Sequence, residues 1–335
     1  MIITQTPLRI SFFGGGTDYP EYFAESVGAV LGTAIDKYAY FSVMRFYSEL
    51  FDYSIRLAYR RAECVQSLDQ IEHAPFRECL RRCGVTNNVE INYSAELPAF
   101  SGLGSSSTFV VGLLHTLHAY KGEFVQPLEL AYEAIEVERE ALKESVGCQD
   151  QLFAAVGGLN VIEFRGVRDA VVERVPLRNS RLREFEAHLM VFHTGIRRHA
   201  EELASRQVQR VGANRETLLT MRKMVDEGHD ILVDPGRNLS EFGEVLHRAW
   251  SLKQTLADGI TNEVVNTIYQ AGIEAGALGG KLLGAGGGGS ILLFVPPERQ
   301  PAVRRRLAHL GEIPVRINAP GSRVIHASPS GGSEA

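Results

Sequence analysis

The sequence predicts an α+β protein of two domains that share a cleft. Three observations carry this reading. The 335 residues are more than one ordinary core needs. Strand-like and helix-like segments alternate at both ends of the chain, so each end can build a sheet covered by helices. Near residue 185 the pattern changes, and a helix-rich, highly charged stretch runs from Arg197 to about Asp258. We set the first domain at residues 1–185 and the second at 186–327, with 328–335, SPSGGSEA, as a disordered tail.

The elements follow in order. Met1–Gln5 lacks a charged leader and a long apolar run, so it begins a strand rather than a secretion signal. Residues 27–47, VGAVLGTAIDKYAYFSVMRFY, mix β-branched and aromatic side chains without helical period and read as strands. Residues 67–83 read as a helix, and NNVEINYSAELPAF (87–100) as a strand entering a loop. A helix spans roughly 105–120. Pro127 opens the next, running to about Ser145, because proline suits the first helical position. LNVIEF (159–164) and AVVERVPL (170–177) form a strand pair, and AHLMVFHTG (187–195) is one more strand. Residues 261–295 read as helix, glycine loop and strand; PERQPAVRRRLAHLG is a helix, and VRI and RVIHA are closing strands. No internal repeat of fixed period occurs.

Composition narrows the function. With 44% hydrophobic and 22% charged residues the chain is an ordinary globular protein, and a net charge of −5 argues against a large basic face for nucleic acid. No run of about 18 uncharged apolar residues suggests a membrane span. Cys64, Cys79, Cys83 and Cys148 form no CxxC pair and have no histidine at zinc-like spacing, so we expect buried reduced thiols and a cytoplasmic protein.

One stretch stands out: PAFSGLGSSSTFVVGLL (98–114) passes from glycines and three serines straight into an apolar helix. A helix N-terminus exposes unpaired amides and the positive end of the dipole, and glycines let an anion approach. Gly102, Gly104 and Ser105–Ser106–Ser107 supply that arrangement, with hydroxyls for phosphate oxygens or Mg²⁺. No lysine follows, so this is not the P-loop; serine N-capping is the alternative.

With TPLRISFFGGGTDYPEYF (6–23) and KLLGAGGGGSILLF (281–294), this stretch resembles the three ordered motifs of the GHMP kinases, the galactokinase, homoserine, mevalonate and phosphomevalonate kinase superfamily. The resemblance spans nearly the whole chain. It implies a first domain like ribosomal protein S5 domain 2, a ferredoxin-like second domain, and ATP- and Mg²⁺-dependent phosphorylation of a small molecule. The loop Gly102–Leu103–Gly104 and the serines would hold the ATP phosphates, and Gly284, Gly286 and Gly287 would line the cleft from the other domain.

IEVEREALKESVGCQDQLFAAVGG (135–158) resembles the galactokinase segment in which a magnesium-ligand Glu precedes a catalytic Asp. That implies Asp150 as the catalytic Asp, its alternative being a helix cap. Glu136, Glu138 and Glu140 compete for the metal. Glu138 has Ala134, Ile135, Ala141 and Leu142 as helical neighbours, so it lies in the apolar stripe and needs a charge partner, either Mg²⁺ or a structural cation. Ser106 or a neighbouring serine would share the metal. Arg9 matches the basic residue of the first motif and would keep Asp150 ionised. Asp18 resembles the sugar-holding Asp of galactokinases, against an Asx turn before Pro20.

Galactokinases carry Gly-Glu-His-Thr-Asp where this chain has Gly14–Gly15–Gly16–Thr17–Asp18, which removes polar contacts and opens space. The first motif, GCQDQLFAAVGGLNVIEF and FHTGIRRHAEE are most similar to the branch that phosphorylates the anomeric hydroxyl of D-glycero-α-D-manno-heptose 7-phosphate; the fucokinase-like branch shares GGGTD. On that reading Gly15, Gly16, Thr17 and Asp18 bind the sugar, and Arg197 and Arg198 take its phosphate, with Arg45, Arg56, Arg60 and Arg61 as more distant candidates. A sugar-and-ATP sensor would show degraded catalytic residues, yet Asp150, Glu138 and Arg9 are all present. A dinucleotide-binding fold fails because GGGTDYP lacks G-x-G-x-x-G and Pro20 interrupts the helix it requires.

Overall fold

The computed structural model describes residues 1–196 and 200–328, with the side chains of 200 and 201 left out; Arg197, Arg198 and residues 329–335 lie outside the described residues. Two sheets organise the chain. The first has eight strands: β1 (Ile2–Phe13), β2 (Gly28–Arg45), β3 (Ile55–Ala58), β4 (Ala62–Val65), β5 (Val89–Ala95), β6 (Leu159–Gly166), β7 (Asp169–Arg174) and the chain's last strand, Arg323–Ala327. β2, with 18 residues, is its spine. Along one edge it pairs with β1; along the other, residues 28–33 pair with β6 and residues 39–45 with β5.

The second sheet holds β8 (Leu189–His193), β9 (Gly279–Leu282), β10 (Ser290–Phe294) and β11 (Gly311–Glu312), all antiparallel in the order β11-β8-β10-β9. This is the ferredoxin-like order, elaborated by four helices between β8 and β9: Ala200–Gln209, Arg215–Val233, Ser240–Lys253 and Glu263–Glu274. No helix among the described residues is long and apolar enough to cross a membrane.

Both expected closing strands need correction. VRI (315–317) forms no strand, Ile317 making only an isolated bridge to Ile35, and RVIHA does not close the second sheet. As β12 it returns to the first, pairing antiparallel with Ile2–Gln5. The free edge of β1 offers unpaired backbone groups that this strand covers. The backbone N–H of Ser328 then donates to the Met1 carbonyl at 2.9 Å, so the chain is ordered one residue into the expected tail. Cys64 is also exposed, while the other three cysteines are buried; all four are free.

The serine helix, Ser105–Tyr120, is the core of the first layer. Residues 107–114 are all buried, against β1, β2 and the helices Ala74–Cys83, Pro127–Glu136 and Gln149–Val156. A helix apolar all round has to be enclosed in this way. The two sheets meet at the end of β1. Phe12 and Phe13 pack on Phe242 with ring centroids 5.5 and 4.9 Å apart, and Phe185 joins them at 4.8 Å. Lys281 of β9 crosses the same junction and donates to the Phe12 carbonyl at 3.0 Å. The glycine loop that follows Phe13 is therefore anchored to both halves of the molecule.

Candidate active site

Gly104 caps the serine helix in the left-handed conformation, with φ +81°, and no side chain caps the first turn. The serines thus do not act as the cap. The first amides of the helix have no intrahelical partner, because the first closing bond is Thr108 N–H to the Gly104 carbonyl. The other glycine loop packs directly on this one. A Cβ on Gly284 would lie 3.0 Å from Gly102 Cα, and a Cβ on Gly102 would lie 2.6 Å from the Leu283 carbonyl oxygen. Gly287 is held by its N–H to the Ile260 carbonyl at 2.8 Å, and Gly286 packs on Ile260 so closely that a Cβ would lie 2.8 Å from its Cα. Ser101, fully buried in the loop, leaves its hydroxyl without a partner among the described residues.

Arg9 joins the helix tip to the expected catalytic carboxylate. Its Nε and Nη2 donate to the two carboxylate oxygens of Asp150 at 2.7 and 2.6 Å, and its Nη1 donates to the Gly102 carbonyl at 2.8 Å. The backbone N–H of Arg9 also donates to the Leu103 carbonyl. Arg9 is 5% exposed, while the Asp150 side chain keeps 23% of its surface. Asp150 sits in the first turn of Gln149–Val156, where the helix dipole favours a carboxylate.

Glu138 lies in a different local structure from the one expected. The helix from Pro127 stops at Glu136 and passes into a π-turn, Val137–Ala141, closed by Leu142 N–H to the Val137 carbonyl. Glu138 lies in that turn and is fully buried. Its Oε1 accepts from Ser107 Oγ at 3.0 Å and its Oε2 from Gln151. Burial pushes its carboxyl up to about 8 despite those two donors, with Glu144 and Asp150 adding repulsion. Ser107, not the exposed Ser106, is the serine that reaches Glu138.

The Gly14–Asp18 loop forms the third wall. Asp18 is buried, accepting from Gly16 N–H at 2.9 Å and Gln149 Nε2 at 2.9 Å; burial raises its carboxyl above the usual range, and Asp150 pushes the same way. Thr17, expected to bind sugar, is fully buried, with its hydroxyl donating to the Gly14 and Ala29 carbonyls. It fixes the loop to β2 rather than facing the cleft. Arg197 and Arg198 lie outside the described residues. Arg56 and Arg61 pair with Glu90 and Glu72.

Sequence reasoning missed several polar groups here. Gln149 and Gln151 flank Asp150 and bond Asp18 and Glu138. Lys253 and Lys281 are 7% and 6% exposed, and burial drives both ammonium groups below the usual lysine range. The signal for Lys253 was present: the residues three and four away on either side, Ala249, Trp250, Leu256 and Ala257, are all apolar, the pattern that singled out Glu138, although the helix ends at Lys253 itself.

Comparisons with known proteins agree on the fold. Family models for the GHMP kinases N terminal domain and the GHMP kinases C terminal match residues 70–158 and 231–313, together just over half of the chain. The chain is 28% identical to a D-glycero-alpha-D-manno-heptose 7-phosphate kinase of Campylobacter jejuni, covering 89% of this chain and 91% of that one. It is 27% identical to a bifunctional fucokinase/GDP-fucose pyrophosphorylase of Arabidopsis thaliana, covering 93% of this chain but 32% of that larger protein. Among solved structures, a D-glycero-D-manno-heptose 1-phosphate kinase of Bacteroides thetaiotaomicron superposes with a TM-score of 0.79 at 23% identity, over 98% of this chain and 100% of that one. A galactokinase of Lactococcus lactis in complex with galactose superposes with a TM-score of 0.75 at 18% identity, over 96% and 94%. At such identities these two structures speak for the fold alone.

Proposed function

Because the chain belongs to the GHMP kinase family and is an ATP-dependent sugar kinase, we propose that it phosphorylates the anomeric hydroxyl of D-glycero-α-D-manno-heptose 7-phosphate to the 1,7-bisphosphate. The observation that carries the reading is the span of one guanidinium: Arg9 holds Asp150 with two N–H groups and the Gly102 carbonyl with a third. A reactive carboxylate and an anion-binding helix tip are thereby linked through a single rigid side chain.

The ATP phosphates lie against the free amides of Ser105–Ser107, where backbone donors and dipole favour them. The sugar rests on the Gly14–Asp18 loop, with Asp18 accepting from its hydroxyls. Asp150 accepts the proton of the anomeric oxygen as that oxygen attacks the γ-phosphorus in line and ADP departs. Arg9 holds the Asp150 carboxylate in place and offsets the charge of the transferring group. The donor set fits Mg²⁺: Glu138 and a serine hydroxyl are hard oxygen ligands, and a fully buried carboxyl with a raised pKa gains from a cation. Glu138 and Ser107 would hold the ion, which would supply charge neutralisation to the triphosphate.

The test is ADP formation across a panel of sugar 7-phosphates and free sugars. The reading expects D-glycero-α-D-manno-heptose 7-phosphate to give the highest kcat/KM. Preference for free fucose or another unphosphorylated sugar would replace it with the fucokinase-like alternative.

A further inference from the structure

Beside Gly15 three buried side chains carry unused hydrogen-bonding capacity. A Cβ on Gly15 would lie 3.4 Å from Lys253 Nζ, 3.7 Å from Gln149 Nε2 and 3.8 Å from Ser11 Oγ. Lys253, Ser11 and Gln149 are 7%, 6% and 9% exposed. The Ser11 hydroxyl and the Gln149 carbonyl oxygen have no hydrogen-bond partner, and the Lys253 ammonium makes no side-chain hydrogen bond or ion pair among the described residues, with Asp18 and Asp150 as the opposite charges that act on it. A buried donor or acceptor left unsatisfied is destabilising, and a buried ammonium more so. The absence of a side chain at Gly15 keeps the space between these groups open.

The charged groups that act on Lys253 are Asp18, Arg9 and Asp150. The Asp150 carboxylate is taken up by Arg9, and the Asp18 carboxylate accepts from Gly16 and Gln149. Of Arg9, Lys281 and Lys253, Lys253 is the one whose side chain makes no hydrogen bond among the described residues. Lys253 reaches in from the end of Ser240–Lys253, while Ser11 and Gly15 come from the first motif. None of these groups belongs to the glycine loops that face the triphosphate. The sequence candidates for an acceptor-phosphate site, Arg197 and Arg198, are not needed for this cluster.

We propose that Lys253, with Ser11 and Gln149, binds the phosphate group of the acceptor and is the residue that selects a sugar phosphate over the free sugar. The ammonium and the Ser11 hydroxyl donate to phosphate oxygens, and the Gln149 carbonyl accepts from a neighbouring sugar hydroxyl. This rests on the reading of the enzyme as a sugar-phosphate kinase, and the experiment separates the two.

Initial rates of ADP formation are measured for the full chain and for Lys253→Met, Lys253→Arg and Ser11→Ala, with heptose 7-phosphate and with unphosphorylated heptose. Loss of one charge-assisted contact predicts a rise of about 10- to 100-fold in the KM for the sugar phosphate in Lys253→Met. The KM for ATP stays within about threefold, because the triphosphate is held elsewhere. The ratio of kcat/KM for the phosphorylated over the free sugar falls with the sugar-phosphate KM, Lys253→Arg restores part of it, and Ser11→Ala shows a smaller loss in the same direction. Inorganic phosphate, tested as a competitor of the sugar phosphate, binds wild type more tightly than either Lys253→Met or Ser11→Ala. An unchanged sugar-phosphate KM in folded variants overturns the assignment. So does a rise confined to ATP, which would move Lys253 to the γ-phosphate. If wild type prefers a different sugar phosphate, the choice of heptose fails while the Lys253 test proceeds on that substrate. A wild type that uses only free sugars and does not bind inorganic phosphate overturns both.

Discussion

Replacing Asp150 by Asn is the most informative perturbation of the catalytic assignment. Asn keeps the volume but presents an N–H₂ group where one carboxylate oxygen now accepts from Arg9 at 2.6 or 2.7 Å. Breaking a buried ion pair from one side typically costs about 3–5 kcal/mol. Here the Asp150 side chain is 23% exposed to the cleft, and Arg9 retains the Gly102 carbonyl, so we take about 2–3 kcal/mol. In a chain of this size that lowers the melting temperature by roughly 3–4 °C. Loss of the proton acceptor removes a factor of about 10² to 10⁴ in kcat. ADP formation followed at saturating sugar and ATP reads kcat, and a thermal melt reads the stability loss. The account expects kcat down by about 10² or more, with the KM for ATP within about threefold. A folded Asp150→Asn enzyme with kcat within about threefold of wild type would show that Asp150 does not take the proton.

Three further predictions follow from other parts of the site and fold. Glu138→Gln keeps the shape and the contact from Ser107 but removes the carboxylate; its N–H₂ can no longer accept from Gln151, which keeps a bond only by turning its unpartnered carbonyl oxygen to that N–H₂. The Mg²⁺ concentration for half-maximal rate should rise about 10-fold or more, while the melting temperature of the metal-free protein holds or rises, because burial disfavours that charge. Gly102→Ala forces a side chain onto a backbone at φ +77° and against the Leu283 carbonyl; we expect a loss of about 2–4 kcal/mol in a denaturant titration and a higher KM for ATP. His118 lies between Glu123 and Glu133, and its hydrogen bond to Glu133 leads in raising its pKa above 6.5. A raised histidine stabilises the fold fully below 6.5, and the benefit fades as pH climbs through the folded value. The melting-temperature gap between wild type and His118→Gln should therefore be widest below pH 6.5 and shrink above it; a gap that widens with pH contradicts the assignment.

Much of this site is legible in the sequence because its parts break local rules. Glycines before a buried helix, a carboxylate within an apolar stripe and a triple glycine after a strand each conflict with plain folding. The strand-like composition likewise reveals the first sheet except β3 and β4, but only β8 and β10 of the second. What stays hidden depends on pairing across long separations. RVIHA has the period of a strand, but nothing in that period states that its partner lies at Ile2–Gln5. Three adjacent serines are rotated about 100° from one another, so only the tertiary position of Glu138 distinguishes Ser107 from Ser106. The π-turn at Val137–Ala141 leaves no composition signal. Lys253 was readable by the argument applied to Glu138, but its place beside Gly15 emerges only when the second half of the chain folds onto the first.

The most direct measurement is a crystal structure with a non-hydrolysable ATP analogue and Mg²⁺. The account expects β- and γ-phosphate oxygens within hydrogen-bond distance of the Ser105–Ser107 amides, with the metal against Glu138 and the γ-phosphate facing Asp150. A nucleotide bound away from the Ser105 helix tip, or a metal held without Glu138, would contradict it.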